Sequence, residues 1–262
     1  MTLPDRSKIL SEIVALADLA GAEIMKIYRG DMQVRQKADS SPVTAADEAA
    51  EEIILAGLRK LTPNIPIVAE EEAAAGVIVE VGDQPFWLVD PLDGTKEFIA
   101  HRDEFTVNIA LVENLSPTMG VVFAPALETS YAADGPGTAA KRVGDGAWQK
   151  IATRPIPEKE VIATASRSHG DKDKMQELLQ DYAIGDVVVS GSSIKFCIVA
   201  CGEADIYPRY GPTCEWDIAA GHAVLNAAGG SVCTLDGQVM RYGKPKFLNS
   251  EFIAYGSRAN GQ

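Results

Sequence analysis

The chain has 262 residues, of which 46% are hydrophobic and 23% are charged, a balance typical of soluble globular proteins. Its net charge of -13 argues against binding to RNA or DNA, because polyanion binding needs clustered Lys and Arg. No run approaches the ~20 apolar residues of a membrane span, and the N-terminus lacks the pattern of a secretory signal. We therefore expect a cytoplasmic protein.

Two helices are predicted near the N-terminus. Apolar residues at helical spacing predict the first over Ser7–Tyr28, and Thr44 with Asp47 forms a variant of the capping box that opens the second, which ends near Leu61. Asp47 either only caps this helix or, fixed at its start, orients a water or hydroxyl in a site. The loop Asp39–Pro42 before it is a candidate lid.

A short strand is predicted at Ile65–Ala69, and three acids, Glu70–Glu72, follow it directly. A run of charges is usually a solvated face. Because Glu70 follows an apolar strand in the same way as Asp90 further along the chain, the two carboxylates would meet if the strands are neighbours.

The most informative segment begins with the apolar run Phe86–Val89, which suits a strand buried on both faces. Asp90 then lies where the strand leaves the core, and we expect Pro91 to end the ladder because it has no N–H to donate. Asp93 follows closely, and two buried carboxylates need a positive charge between them. Hard oxygen ligands at this spacing suit Mg²⁺.

Gly94 and Thr95 open a short predicted helix, and free N–H groups at a helix N-terminus can bind a phosphate. The segment therefore predicts a metal-assisted phosphoryl site. An acidic turn with a helix cap is the alternative interpretation, since Asp, Pro and Gly are ordinary turn residues.

The rest of the chain divides into two patterns. Phe105–Val112, Met119–Ala124 and Thr129–Ala133 suit consecutive strands of one sheet, and Gly144–Ala147 suits a hairpin turn. From Pro155 onward, strands at 161–165 and 187–189 alternate with helices near 171–182 and 193–201, which predicts a layered α/β lobe. We accordingly divide the chain into an N-terminal α+β lobe, residues 1–155, and a C-terminal α/β lobe, residues 156–262.

The second lobe carries a candidate anion site. Ser190–Ser193 and Lys195 combine small hydroxyl residues, a helix start and a cation, and Arg167 and Arg209 add positive charge if the fold brings them together. The alternative for each cation is a solvated surface charge.

Two further features of this lobe have a structural and a functional interpretation. Asp217 begins a helix that runs to about Ala228, where it either caps the helix or supplies a third wall of the metal site. Cys197 and Cys201 would share a helix face, and we interpret them as buried small hydrophobes because free Cys is among the most buried residue types.

Three motifs, found in this order, resemble those of the inositol monophosphatase superfamily, which comprises Mg²⁺-dependent and typically lithium-sensitive phosphatases. They are Ala69-Glu70-Glu71, Asp90-Pro91-Leu92-Asp93-Gly94-Thr95 and Trp216-Asp217-Ile218-Ala219-Ala220-Gly221. The resemblance covers nearly the whole chain and implies a layered αβαβα sandwich. Within the superfamily the chain is most similar to the CysQ-type 3′(2′),5′-bisphosphate nucleotidases, since it has Lys96-Glu97 where inositol phosphatases usually carry Thr-Asn.

The resemblance also implies a role for individual residues. Two or three Mg²⁺ would be bound by Glu70, Asp90, the Leu92 carbonyl, Asp93 and Asp217. Backbone N–H groups of Gly94 and Thr95 would bind the scissile phosphate, while Asp47, Thr95 and Glu70 would be catalytic, with Asp47 and Thr95 orienting the attacking water. The other phosphate would be held by Ser192, Lys195 and Arg209, with His169 near the nucleoside.

The function implied is removal of the 3′-phosphate of adenosine 3′,5′-bisphosphate, or of its sulfated precursor, in sulfur assimilation. Lithium inhibition, a small-molecule nucleotide partner and a monomer or homodimer are expected with it. The alternatives are an inositol or other sugar phosphatase and, from a different class, a sensor that binds nucleotide or metal without catalysis.

Overall fold

The computed structural model describes residues 5–30, 34–36, 42–167, 175, 177, 179 and 182–257. Within these ranges the α-helices are Arg6–Tyr28 (α1), Ala45–Leu61 (α2), Glu70–Ala74 (α3), Thr95–Ile99 (α4), Ile194–Ala200 (α5) and Glu215–Ala227 (α6). Short 3₁₀ turns lie at Pro125–Leu127 and Pro245–Phe247. The first two helices lie where the sequence predicts them. The predicted lid residues 39–41, most of the helix predicted near 171–182, and His169 lie outside the described residues.

Strands of the first half of the chain are Val34–Gln36 (β1), Pro42–Thr44 (β2), Ile67–Ala69 (β3), Phe86–Asp93 (β4), Thr106–Glu113 (β5), Ser116–Ala124 (β6), Thr129–Asp134 (β7), Ala140–Val143 (β8) and Gln149–Lys150 (β9). The β3–β9 strands form a seven-stranded sheet in chain order, parallel between β3 and β4 and antiparallel elsewhere. The predicted consecutive strands and the hairpin at 144–147 are thus confirmed.

Strands of the second half are Glu160–Ala165 (β10), Ala183–Val189 (β11), Ile206–Arg209 (β12), Thr213–Cys214 (β13), Ser231–Thr234 (β14), Leu248–Asn249 (β15) and Phe252–Tyr255 (β16). Five of them form a mixed sheet in the order β11-β10-β12-β16-β14. The sequence pattern predicts β10 and the last three residues of β11. It does not predict the other strands, since β12 contains a proline and β14 and β16 are only four residues long.

Alternate residues of the central strand β4 face two different cores, as its continuous apolar run predicts. Trp87 and Val89 pack against α1 and α2, whereas Phe86 and Leu88 pack against α5 and α6 and, beyond them, the five-stranded sheet. Met175 and Leu179 are buried on that sheet's outer face. The layers therefore follow the predicted order of helices, sheet, helices and sheet, and residues from the predicted fifth layer cover the outside.

The predicted boundary near residue 155 falls between the two large sheets. The seven-stranded sheet ends at Lys150, and the five-stranded sheet begins at Glu160. One buried cluster nevertheless contains side chains of both halves, including Leu88 and Phe252. Division into two lobes stays a prediction.

Pro91 does not end the ladder of β4, and this expectation was wrong. Asp90 pairs with Asn108 and Asp93 pairs with Thr106, so the strand continues past an irregularity at the two residues between them. The missing N–H of proline is accommodated there, because a bulge takes residues out of the hydrogen-bonding register.

The cysteines are free, and Cys197 is buried as predicted while Cys201 is half-buried. Among the described residues, no helix combines the length and the apolar character that are needed to cross a membrane.

Candidate active site

Asp90, Asp93 and Gly94 occupy the end of β4. Asp90 is buried, and its Oδ1 accepts a hydrogen bond of 3.1 Å from the Leu92 N–H. Gly94 has a φ of 92°, and a Cβ there would lie 3.1 Å from the Glu104 carbonyl oxygen, so both conformation and space favour glycine. The chain can then turn at once from strand into α4.

Glu70 comes from the neighbouring strand, as predicted. Strand β3 pairs in parallel with β4, with Ala69 opposite Val89, so the residues that follow them, Glu70 and Asp90, are neighbours at the point where β3 ends. Glu51 of α2 holds the chain there, because its carboxylate accepts hydrogen bonds from the N–H groups of Glu71 (2.8 Å) and Glu72 (2.9 Å).

Asp217 reaches the site from the first turn of α6. Its Oδ2 accepts a 2.9 Å hydrogen bond from the Cys214 N–H, so it does cap the helix. It also lines the same cavity as Glu70 and Asp93. The cap is therefore confirmed, and the role of Asp217 in a metal site stays a prediction.

A single cavity of about 270 Å³ joins most of the predicted site residues. Acidic lining comes from Glu70, Asp93, Glu97 and Asp217, cationic lining from Lys96, Lys195 and Arg209, and the remaining polar lining from Gly94, Thr95, Ser166, Gly191, Ser192, Ser193 and Thr213. The cavity thus has carboxylates from β4, α3, α4 and α6 and cations from α4, α5 and β12.

Repulsion among the carboxylates is the main electrostatic feature. Burial raises the pKa of Asp90 well above its usual range, and the charges of Glu70 and Asp93 raise it further. The pKa of Asp217 is raised by burial and then by Asp93 and Glu70. Asp47, which is buried in the first turn of α2, is close enough to contribute to the shift at Asp90. Such a group of oxygen ligands suits a hard divalent cation.

The three aspartates accept hydrogen bonds within the protein. Asp90 and Asp217 each accept one from the backbone, and Asp93 Oδ2 accepts two, from the Ser192 hydroxyl (2.6 Å) and the Ser193 N–H (2.7 Å). In the part of the chain that the structure describes, no three His, Cys, Asp or Glu side chains stand together as a ready-made ion-binding group.

Lys195 and Arg209 converge on the cavity, whereas Arg167 does not. Lys195 is buried, its Nζ donates to the carbonyls of Ser190 and Ser192, and burial lowers its pKa to about 8. Arg209 donates to the Ser166 hydroxyl over 3.4 Å, and its buried Nε has no hydrogen-bond partner among the described residues. Arg167 instead pairs with Glu104 at 2.7 Å.

The described polar partners of Lys195 and Arg209 are uncharged: carbonyls, a serine hydroxyl and Tyr207. A buried cation without a carboxylate partner is costly, and an anionic ligand would offset that cost. The predicted anion site thus has two of its three candidate cations in place.

The remaining predicted site residues are described only in part. Thr95 Oγ1 donates to the Leu92 carbonyl over 3.2 Å, so the proposed ligand carbonyl and the proposed catalytic hydroxyl touch each other. Pairing of Asp47 with Thr95 stays a prediction, and His169 lies outside the described residues.

Three polar residues that support the site were not predicted from the sequence. Glu51 holds the chain after Glu70, and Thr106 and Asn108 form, with the predicted Ser193, a buried hydroxyl and amide network beside Asp93. A signal existed for two of them, because Thr106 and Asn108 are polar residues inside an otherwise apolar strand.

Comparison with known proteins identifies the family. The model of the inositol monophosphatase family matches residues 5–261. The chain belongs to this family. The predicted family and the layered fold are therefore confirmed.

Relatives with more specific names are also similar. A 3′(2′),5′-bisphosphate nucleotidase CysQ of Salmonella typhimurium is 46% identical over 248 residues, which cover 93% of this chain and 98% of the relative. The crystal structure of CysQ from Bacteroides thetaiotaomicron aligns with a TM-score of 0.79 at 36% identity, covering 96% of this chain and 98% of that one. An inositol monophosphatase of Thermotoga maritima aligns at 0.75 and 26%, covering 95% and 92%.

Gly191 allows the loop between β11 and α5 to approach the end of β4. A Cβ at Gly191 would lie 2.6 Å from the Glu104 carbonyl oxygen and 3.0 Å from Glu97 Cγ. We expect Gly191→Ala to push this loop away from Asp93 and to lower kcat/KM for phosphate release from a 3′,5′-bisphosphate nucleotide by about 10- to 100-fold, since small misplacements at a reaction centre are costly.

The matched control is Gly185→Ala in β11, where the added Cβ would meet only the Glu160 side chain, at 3.2 Å. We expect this variant to keep near wild-type activity, with both variants melting cooperatively. Wild-type kcat/KM in Gly191→Ala would contradict the close approach of this loop.

Proposed function

We propose that this protein is a Mg²⁺-dependent 3′(2′),5′-bisphosphate nucleotidase that converts adenosine 3′,5′-bisphosphate to AMP and phosphate. The observation that carries the proposal is the pairing of opposite charges in one cavity. The carboxylates that line this cavity suit a metal and the scissile phosphate, while Lys195 and Arg209 in the same lining suit a second phosphate. The 46% identity to named nucleotidases supports the same substrate class.

The donor set fits a divalent cation. Glu70, Asp90, Asp93 and Asp217, with the Leu92 carbonyl, offer only hard oxygen atoms, and burial together with mutual repulsion makes the group unfavourable without positive charge. Mg²⁺ bound there would lower the pKa of a water and stabilise the leaving oxygen. Neutralisation of the carboxylates would also let an acidic protein accept a polyanion.

The residues of the chain would then position the reactants. Gly94 and Thr95 would bind the 3′-phosphate through their N–H groups, and Asp47 with Thr95 would orient a water for attack on phosphorus. As the water oxygen bonds to phosphorus, the water would give one proton to the Asp47 carboxylate and the bond to the 3′-oxygen would break. The 3′-oxygen would take a proton from solvent water, and Asp47 would return its proton to solvent. Lys195, Arg209 and Ser192 would hold the 5′-phosphate so that the 3′-phosphate lies at the carboxylates.

The experiment that tests this function compares phosphate release from adenosine 3′,5′-bisphosphate and inositol 1-phosphate at the same Mg²⁺ concentration, with and without Li⁺. We expect strong preference for the nucleotide, loss of activity with a chelator, and inhibition by Li⁺. In Asp93→Asn, kcat should fall by at least about 100-fold, because a metal ligand loses its charge.

Asp83→Asn is the matched control, since Asp83 is an exposed acid in the turn before β4, and it should behave like wild type. Preference for inositol 1-phosphate would favour the alternative that the Thermotoga maritima relative represents. Release from neither substrate would favour a sensor without catalysis.

The anion site predicts a change of selectivity in Lys195→Met. Removing the charge should lower kcat/KM for the bisphosphate by about 10- to 100-fold, because a hydrogen bond to a charged group contributes about 1.5–3 kcal/mol. Turnover of p-nitrophenyl phosphate, which has one phosphate, should change less than threefold, and the exposed control Lys150→Met should change neither substrate. Equal losses on both substrates would contradict the assignment of Lys195.

The lowered pKa of Lys195 predicts a pH dependence that is specific to the bisphosphate. Burial favours the neutral amine, so in the free enzyme the positive charge is present below about pH 8 and is lost as pH rises through that value. We therefore expect kcat/KM for adenosine 3′,5′-bisphosphate to fall above about pH 8. The p-nitrophenyl phosphate profile in the same buffers serves as the control, and a parallel fall there would assign the inflection to another group.

A further inference from the structure

Ser192 has one hydroxyl proton and two potential acceptors. Under the proposed function its hydroxyl contacts the 5′-phosphate, but in this structure it donates to Asp93 Oδ2 over 2.6 Å. A serine hydroxyl donates a single hydrogen bond, and both acceptors are purely accepting when ionised. The two contacts therefore exclude each other.

Both lone pairs of Asp93 Oδ2 are occupied in the structure. The second donor is the Ser193 N–H, at 2.7 Å. Because a carboxylate oxygen accepts about two such contacts, Oδ2 has none left for a cation, and a metal would have to bind this carboxylate through Oδ1 alone. If the Ser192 hydroxyl turned away from Asp93, one lone pair of Oδ2 would become free.

The conformation of Ser192, in the loop between β11 and α5, depends on its contacts. Ser192 has a φ of 54°, an uncommon conformation for a residue other than glycine, so its position is held by contacts rather than by local preference. Thr106 contacts the Ser192 hydroxyl, and Lys195 Nζ donates to the Ser192 carbonyl. The same residue thus touches a carboxylate of the metal site and a cation of the anion site.

We propose that residues Ser190–Ser193 form a clasp that weakens metal binding at Asp93 until a phosphate occupies the Lys195 and Arg209 site. The phosphate accepts the hydrogen bond from the Ser192 hydroxyl, Asp93 Oδ2 gains a free lone pair, and metal affinity rises. Binding of the metal and binding of the 5′-phosphate at Lys195 and Arg209 then strengthen each other, as thermodynamic linkage requires. The inference rests on the proposed function and assigns Ser192 a regulatory role within it.

Two simpler roles for Ser192 make different predictions for Mg²⁺ affinity without nucleotide. If Ser192 merely orients Asp93 for the metal, Ser192→Ala binds Mg²⁺ more weakly. If Ser192 only contacts substrate, the affinity does not change. The clasp alone predicts tighter binding, because the variant lacks the competing hydrogen bond.

The test is calorimetric titration of Mg²⁺ into the full-length protein without substrate. We expect Ser192→Ala to bind Mg²⁺ about 3- to 10-fold more tightly than wild type, as loss of one competing hydrogen bond allows. Ser166→Ala is the matched control, because its hydroxyl lines the same cavity and contacts Arg209 at 3.4 Å, and it should stay within twofold of wild type. Ser192→Gly, which suits a positive φ, should repeat the gain if the alanine variant folds poorly.

A second titration uses AMP, which carries the 5′-phosphate and lacks the 3′-phosphate. AMP should tighten Mg²⁺ binding to wild type by a similar factor, adenosine should not, and Ser192→Ala should show no further gain with AMP. Unchanged or weaker Mg²⁺ binding by Ser192→Ala, or equal coupling in both proteins, would overturn the clasp. Failure of the proposed function is a separate result, namely no phosphate release from adenosine 3′,5′-bisphosphate by wild type with Mg²⁺.

Discussion

Repulsion between closely placed carboxylates is the constraint on which the site depends. Asp90 is buried and Asp217 is half-buried beside Glu70 and Asp93, and desolvation together with this repulsion raises the pKa of both acids. No such cluster is stable on its own, so the fold supplies rigid supports from β4, α3 and α6. Hydrogen bonds from backbone N–H groups hold each aspartate, and Glu51 fixes the chain after Glu70. The repulsion between the carboxylates therefore lies where a bound cation can reduce it.

The described hydrogen-bond partners of Lys195 and Arg209 carry no negative charge, and the carboxylates of the site repel one another. One ligand with its metal can supply a charge of the opposite sign to each group. Lys195 is buried among carbonyls, which lowers its pKa, and Arg209 has a buried Nε without a partner among the described residues. Direct pairing with the carboxylates would satisfy both sets and close the site. Because the described hydrogen bonds of Lys195 and Arg209 go to uncharged groups instead, a ligand with two phosphates and a bound metal can satisfy both sets at once.

Much of this arrangement is predictable because its signals are local. A four-residue apolar run followed by two acids gives the central strand, and Gly94 marks a turn that the structure forms with a φ of 92°. The adjacency of Glu70 and Asp90 follows from two strands that each end in an acid. The path through Pro91 was predicted wrongly, since a bulge depends on pairing with Thr106 and Asn108 and leaves no local pattern. Metal ligands and nucleotide contacts stay predictions that the resemblance implies.

The contacts that no local pattern shows are those across the boundary near residue 155. Ser193 donates to Asn108 Oδ1 over 2.7 Å, and the two residues are 85 positions apart. Serines before a helix predict a cap or an anion site, and only the packed halves show that their hydroxyl and N–H groups reach Asp93 instead. The Ser192 hydroxyl donates one hydrogen bond, so under the proposal it serves the metal ligand in one state and the phosphate in another. Competition for one proton is thus sufficient to couple two sites without a large movement of the chain.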